Sequence, residues 1–240
     1  MKVKKSFHRL TIFIQPVLTL LLILLISGCL GSPKFSATAI DHNKRGENHL
    51  EKGDFDQAVS EYSKAIEADP NYPVPYNNRG VTYSNQGGYK KAIKDYSKAI
   101  QLKPDYQKAY YNRGGAYSNK GYYDLAIQDY NKVIELKPDD SAAYNNRGTV
   151  YAKKGKYMLA ISDFSKAIEL DSNAYRAYGN RGQAYFTLDD YMKAIENFNR
   201  AIELNPNEMW FYYYRGLSYR GIGKEEKTKK DFEKFNELKQ

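Results

Sequence analysis

Small and apolar residues recur along this chain at helical spacing, in two alternating patterns separated by glycine and proline. In the first pattern three residues lie at i, i+4 and i+7, on one face of a helix: Tyr76, Gly80 and Tyr83. The glycine pair at 87–88 interrupts it, and a second helical pattern follows over residues 89–100. Pro104 ends the second pattern, because a proline inside a helix removes a hydrogen bond and clashes with the preceding turn. The stretch predicts two antiparallel helices joined by a tight glycine turn.

This helix pair is repeated at a fixed period. An Arg-Gly dipeptide marks the first helix of each copy, and each of these glycines lies 34 residues after the one before it. The glycines are Gly46, Gly80, Gly114, Gly148, Gly182 and Gly216. A fixed period of this length is typical of a solenoid, in which each copy packs only against its neighbours. We therefore predict an all-α fold, an α-solenoid of about six helix-turn-helix repeats.

The second helices carry a small residue, an aromatic residue, a second small residue and, in most copies, a proline. In the second copy these residues are Ala92, Tyr96, Ala99 and Pro104. Together with the glycine and tyrosine of the first helix, this pattern over residues 39–240 resembles the tetratricopeptide repeat. The expected copies are 39–72, 73–106, 107–140, 141–174, 175–208 and 209–240.

Four copies depart from the pattern, the first of them by His42 and His49 in place of aromatic residues. Ser172 replaces the proline after the fourth copy, which leaves that helix free to run on or bend differently. Leu188 and Asp189 replace the glycine turn in the fifth copy. Charged residues crowd between positions 224 and 239 of the last copy. Because the terminal repeat of a solenoid needs a polar outer face, we expect the last helix to cap the array.

The arginine that precedes each glycine stands where the tetratricopeptide repeat commonly has leucine. We call these six residues the arginine row: Arg45, Arg79, Arg113, Arg147, Arg181 and Arg215. An acid recurs one residue before the second-helix aromatic in five copies: Glu61, Asp95, Asp129, Asp163 and Asp231, with Asn197 in the fifth copy. The row is either a cationic binding stripe or one half of a set of ion pairs between the two helices. The repeated acid favours the ion pairs, with the arginine stems covering apolar surface.

The resemblance implies that the first helices line a concave groove that takes extended peptides or partner helices. Two residues before the glycine, four consecutive copies carry the asparagine row: Asn78, Asn112, Asn146 and Asn180. A side-chain amide both donates and accepts hydrogen bonds, so such a row is suited to hold a peptide backbone. The other interpretation is that asparagine is merely tolerated at this position. Further groove candidates are Asn77, Tyr111, Asn145 and Gln183 for polar contacts, and Lys108 and Arg176 for acidic side chains.

The remaining chemistry favours a binding protein over an enzyme. His42 and His49 are about 10 Å apart along a helix, too far to share one metal ion, and no Gly-rich phosphate loop follows a strand. We therefore expect no catalysis, metal or cofactor. The formal net charge is +9, and removal of the four basic residues of segment 1–28, which has no acid, leaves +5. Acidic and basic residues are mixed in every repeat of the rest of the chain, so we expect no nucleic-acid partner.

The first residues have the organisation of an export signal. A basic start, an apolar stretch over residues 10–26 and small residues at 27–28 precede Cys29, the only cysteine of the chain. Residues 26–29, Ile-Ser-Gly-Cys, resemble the lipobox of bacterial lipoproteins. The resemblance implies cleavage of a signal peptide at 1–28, acylation of Cys29 and a tether over 29–38. The alternative is an uncleaved signal anchor.

We expect a membrane-anchored scaffold or adaptor that binds partner proteins in the cell envelope. Leu30 follows the cysteine in place of the aspartate that retains some lipoproteins in the inner membrane, which favours the outer membrane, facing the periplasm. Two alternatives stay open. One is an assembly lipoprotein of a type IV pilus or secretin, and the other is a signal-anchored adaptor whose repeats face the cytoplasm.

Overall fold

The computed structural model describes residues 35–239, which form twelve α-helices and no β-strand. The segment 1–28, Cys29 and most of the tether lie outside these residues. The helices are α1 (Ala37–Glu51), α2 (Phe55–Ala68), α3 (Pro73–Asn85), α4 (Tyr89–Leu102), α5 (Gln107–Asn119), α6 (Tyr123–Leu136), α7 (Ser141–Lys153), α8 (Tyr157–Leu170), α9 (Tyr175–Thr187), α10 (Tyr191–Leu204), α11 (Met209–Gly221) and α12 (Glu225–Leu238). The all-α solenoid of six helix pairs is confirmed.

The helices form two layers. Each helix packs against the next one in the chain, so the odd-numbered first helices form one layer and the even-numbered second helices form the other. First helices of successive repeats also contact each other, whereas, over residues 35–239, second helices of successive repeats do not. The first helices therefore lie closer together. Their layer is the inner, concave side, and we call its surface the first-helix groove.

The two helices of a repeat cross where the glycine of the Arg-Gly dipeptide lies. A Cβ atom added to Gly80 would lie 2.6 Å from Cε1 of Tyr96, far closer than real Cβ contacts. The ring of Tyr96 thus rests directly on the backbone of the first helix, and only 1% of this tyrosine is exposed. Tyr62, Phe164 and Phe198 fill the same position in other repeats. The repeating core is therefore an aromatic ring set against a glycine.

The turns between the two helices share one backbone conformation. Gly87 has φ +75°, in the left-handed region that glycine adopts without steric cost. In the fifth repeat Asp189 takes this place with φ 59°. Aspartate is one of the few residues that tolerate the left-handed region, so the turn keeps its geometry without glycine.

The helix before Ser172 does not run on. α8 ends at Leu170, and Asp171 is extended with φ −141° and ψ 99°. Lys137, which precedes a proline at the equivalent place after α6, has φ −144° and ψ 89°. The chain therefore leaves the second helix in the same way with or without proline. Over residues 35–239, no helix has the length and apolar character that crossing a membrane requires.

Candidate functional site

The arginine row lies between the two layers and joins three helices. Arg113, on α5, donates from Nε and Nη2 to the two carboxylate oxygens of Asp129 on α6, at 2.8 Å each. Its Nη1 donates to Oγ of Ser97, on α4 of the preceding repeat, at 3.0 Å. Only 18% of the Arg113 side chain and 6% of the Asp129 side chain are exposed. The Arg113 guanidinium thus fastens repeat 3 to repeat 2.

The same arrangement recurs along the array. Arg79, Arg147 and Arg215 make bidentate pairs with the acids of their own repeats: Asp95, Asp163 and Asp231. In the fifth repeat Arg181 donates to the amide oxygen of Asn197 at 2.8 Å. The ion-pair interpretation is confirmed for repeats 2, 3, 4 and 6, and the cationic stripe is wrong, because the guanidinium groups of these repeats turn into the protein.

Electrostatics and stacking fix the arginines further. Burial alone lowers the pKa of Arg113, but its hydrogen bonds and charge interaction with Asp129 outweigh this effect and raise the pKa above the usual value. The guanidinium carbon also lies 5.6 Å from the ring centroid of Tyr110 and 5.7 Å from that of Tyr117. These cation–π distances hold the group between two rings. The row is a structural element and leaves the groove to other side chains.

The first repeat breaks the row. Arg45 pairs with Asp41 on its own helix at 2.6 Å, and both side chains are more than half exposed. Glu61 instead accepts from Nζ of Lys64 at 2.6 Å and contacts Nδ1 of His42 at 2.7 Å. The expected pair between Arg45 and Glu61 is therefore wrong. The physical reason is that Lys64 and His42 already engage the Glu61 carboxylate, while Arg45 has the carboxylate of Asp41 one turn away on its own helix.

The asparagine row forms hydrogen bonds from one repeat to the one before it. Nδ2 of Asn112 donates to Oδ1 of Asn77 at 3.0 Å, and Nδ2 of Asn180 donates to Oδ1 of Asn145 at 3.0 Å. Nδ2 of Asn146 donates to the hydroxyl of Tyr111 at 2.7 Å. Asn78 reaches back to the first repeat in the same way. Part of the polar capacity of the row is thus used inside the array.

The unused capacity differs from one position to the next. Asn77 is 4% exposed and its amide both donates to Asn78 and accepts from Asn112, so it offers little to a ligand. By contrast, within residues 35–239 no donor reaches Oδ1 of Asn112, Oδ1 of Asn180 or Oε1 of Gln183. These three oxygens are acceptors suited to the N–H groups of an extended backbone.

Three cavities lie along the first-helix groove of repeats 4 to 6. One of about 420 Å³ is lined by Tyr111, Asn145, Asn146 and Arg176 among others. A second of about 460 Å³ is lined by Arg176, Asn180 and Gln183, and a third of about 320 Å³ also contains Asn180 and Gln183. Arg176 lines the first two cavities, and Asn180 and Gln183 line the last two, so the three make up one row of adjoining cavities along α7, α9 and α11. We call it the C-terminal groove.

The C-terminal groove gathers six of the ten predicted groove residues. Asn77, Asn78, Lys108 and Asn112 line none of its three cavities. Arg176 is exposed where two cavities meet, and within the described part of the chain it takes part in no ion pair. No cluster of three or more metal-ligating His, Cys, Asp or Glu side chains occurs among residues 35–239.

Sequence reasoning missed part of the groove lining. The cavity of about 460 Å³ is also lined by six other residues of repeats 5 and 6: Gly179, Phe198, Glu208, Trp210, Phe211 and Tyr214. The available signal was a departure from the period, because glycine and phenylalanine stand at positions 179 and 211 where other copies have different residues. The periodic pattern identifies positions that the copies share, so it does not identify positions at which two copies differ.

The sequence was compared with protein families. One model of the tetratricopeptide repeat matches residues 141–174 and 175–208, and a second TPR repeat model matches residues 46–87, 85–121 and 116–155. The two models together extend over residues 46–208, well over half of the chain. A search of curated proteins finds no match.

Solved structures share the architecture. MamA is 31% identical, with a TM-score of 0.63, and the alignment covers 68% of this chain and 95% of MamA. YrrB, described as a TPR protein with an unusual peptide-binding site, is 25% identical with a TM-score of 0.59, over 74% of this chain and 91% of YrrB. PilF of Pseudomonas aeruginosa has a TM-score of 0.74 over 84% of this chain and 91% of PilF, but at 18% identity the likeness shows the fold alone. Repeat sequence, helix packing and family matches agree: the chain belongs to the tetratricopeptide repeat family.

Proposed function

We propose that this protein is a scaffold that holds partner proteins by binding their extended segments in the C-terminal groove. The observation that carries the proposal is the row of adjoining cavities along α7, α9 and α11. Asn180 and Gln183 line two of them, and within residues 35–239 their amide oxygens accept no hydrogen bond. Amide oxygens accept hydrogen bonds from any peptide backbone, so they suit a partner of varied sequence. YrrB, a similar protein described as having a peptide-binding site, supports this choice of ligand.

The rigidity of the array supports the same function. Hydrogen bonds of the arginine row join each repeat to its neighbour, and those of the asparagine row do so on the groove side. A groove whose walls are already fixed loses little conformational freedom when a segment binds. Lys108 and Arg176 would contact acidic side chains of a partner that extends along several repeats.

Site-specific photo-cross-linking in cells tests the groove. A photo-reactive phenylalanine analogue replaces Gln183, which is exposed and lines two cavities, or replaces Lys94, which is exposed on the second-helix side. We expect a discrete partner to cross-link from position 183 and not from position 94. A partner that cross-links from position 94 alone places binding on the outer layer and contradicts the proposal.

We further propose that the scaffold is anchored in the cell envelope through acylated Cys29 and faces the periplasm from the outer membrane. The lipobox-like residues 26–29 support this. Because two or more acyl chains are needed for stable anchoring, the mature protein should carry several. The intact mass of the membrane-extracted protein tests the proposal: a chain that begins at Cys29 and carries acyl groups agrees with it, whereas an unmodified full-length chain indicates a signal anchor.

Two narrower roles are also open to test. For a pilus or secretin assembly lipoprotein, deletion removes surface fibres and leaves the cell wall intact. For an adaptor whose repeats face the cytoplasm, the repeats are protected from protease added to cells with a permeabilised outer membrane. An envelope scaffold gives neither result.

A further inference from the structure

Repeats 5 and 6 exchange a small and a large residue at their contact. Gly179 stands where other copies have asparagine or tyrosine, and Phe211 stands where three copies have alanine. A Cβ atom added to Gly179 would lie 2.2 Å from Cε1 of Phe211. The phenylalanine ring therefore occupies the room that a side chain at position 179 would need. Tyr175 meets this ring edge-on, with 6.3 Å between centroids, and Phe211 is 9% exposed.

Phe211, the large member of this exchange, lines the cavity of about 460 Å³ together with three other aromatic residues. The other three are Phe198, Trp210 and Tyr214. Trp210 is 48% exposed, so much of a large apolar ring faces solvent at the rim. Its position is fixed by Tyr213 and Phe235, whose ring centroids lie 5.8 and 5.6 Å from its own. We call this cavity, with its lining residues, the aromatic pocket.

The charges at the aromatic pocket do not select a charged ligand. Arg176 and Glu208 carry opposite charges and both line the pocket, and within residues 35–239 neither forms an ion pair. A net charge near zero favours neither an acidic nor a basic side chain. Asn180 and Gln183 line the same pocket, and their side-chain amide oxygens can accept hydrogen bonds from the backbone N–H groups of a partner. The pocket thus combines apolar ring surface for one side chain with hydrogen-bond acceptors for the adjoining main chain.

We propose that the aromatic pocket binds an aromatic side chain of the extended partner segment, and so sets the specificity of the C-terminal groove. This inference rests on the proposed function. Rings bury large apolar area and gain from edge-to-face or offset contacts with other rings. Of the residue types that a peptide offers, Phe, Tyr and Trp therefore fit this lining best.

The test starts from the full-length protein in detergent and a phage library of random dodecapeptides. Trp210 is the only tryptophan of the chain, so its fluorescence reports binding at the pocket. We expect selected peptides to share one aromatic position and to change the Trp210 emission. Replacing that aromatic residue by alanine in the synthetic peptide should weaken binding about tenfold or more. Selected peptides without an aromatic preference, or an unchanged emission, overturn the inference.

Variants of the protein provide the matched controls, with affinities measured by calorimetry. Trp210→Ala should weaken binding of a selected peptide about tenfold, and Trp210→Phe should retain most of the affinity because a ring remains. Lys94→Ala, exposed on the second-helix side and outside the groove cavities, should change nothing. If Asn180→Ala weakens binding and Trp210→Ala does not, the proposed binding in the C-terminal groove is retained and the proposed role of the aromatic pocket is wrong. If no peptide depends on either residue, both proposals fail.

Discussion

The arginine row and the asparagine row recur with the same period, yet their side chains end in different surroundings. Arg113 is paired on three sides by Asp129 and Ser97 and is largely buried. Asn180 donates to Asn145 of the preceding repeat at 3.0 Å, and within the described residues its amide oxygen accepts no hydrogen bond. A row that is fully paired inside the array stabilises it, whereas a row with spare acceptors is available to a ligand. The period alone does not separate the two roles; the completeness of pairing does.

The largest expected effect comes from breaking the arginine row. Asp129→Ala leaves the Arg113 guanidinium without its carboxylate, and we expect a loss of roughly 3 kcal/mol in the free energy of unfolding, the lower part of the range for a broken buried pair. Urea unfolding measures it, and a double-mutant cycle with Arg113→Ala should give strong coupling. Asp41→Ala, which breaks the exposed pair with Arg45, is the control and should cost less than about 1 kcal/mol. Additive effects of the Arg113 and Asp129 changes would refute the account of the row.

A smaller effect is expected from the asparagine row. Asn112→Ala removes one donor from Oδ1 of the buried Asn77, which should cost about 1 kcal/mol of unfolding free energy. The same urea experiment compares it directly with Asp129→Ala. A loss as large as that of Asp129→Ala would show that the two rows stabilise the fold equally, and it would contradict the different roles assigned to them.

The aromatic core offers a pair of changes with opposite signs. Within residues 35–239 the buried Tyr62 hydroxyl has no hydrogen-bond partner, whereas the Tyr96 hydroxyl lies 3.2 Å from Oγ of Ser84. Tyr62→Phe should leave the free energy of unfolding unchanged or raise it by up to about 1 kcal/mol, and Tyr96→Phe should lower it by about 1 kcal/mol. Phe164 and Phe198 at the same position show that the ring fits without a hydroxyl. Equal losses in both variants would contradict the account.

The smallest expected effect is on the pH dependence of stability in the first repeat, where the arginine does not pair with the acid of the second helix. Hydrogen bonds from Lys64 and His42 lower the pKa of Glu61 from 4.5 to about 2. Because the folded-state pKa is depressed, this stabilisation is present above pH 4.5 and is lost as the pH falls towards about 2. Thermal unfolding should therefore show Glu61→Gln less stable than the unchanged chain at neutral pH, with a difference that shrinks in acid. A difference that persists through the acid range would exclude this cause.

The sequence predicts the fold and the pairing within each repeat, because both depend on residues that recur at one period. It also carries a signal for the third partner of each arginine, since Ser97 has polar equivalents in other second helices, such as Ser63 and Asn131. Arg45 is the exception because it pairs with Asp41 on its own helix, and the repeat pattern carries no information about this pair. The aromatic pocket is harder still to predict from the sequence, because it depends on a contact between Gly179 and Phe211, which belong to two different repeats.

The central claim is that the C-terminal groove binds the partner, and the asparagine row contains a matched test of it. Asn180 and Asn112 each donate at 3.0 Å to the preceding repeat, but Asn180 lines two groove cavities and Asn112 lines none of the three. Calorimetry with the partner identified by cross-linking should show binding weakened by up to about tenfold in Asn180→Ala and unchanged in Asn112→Ala. Equal affinities in the two folded variants would contradict the claim.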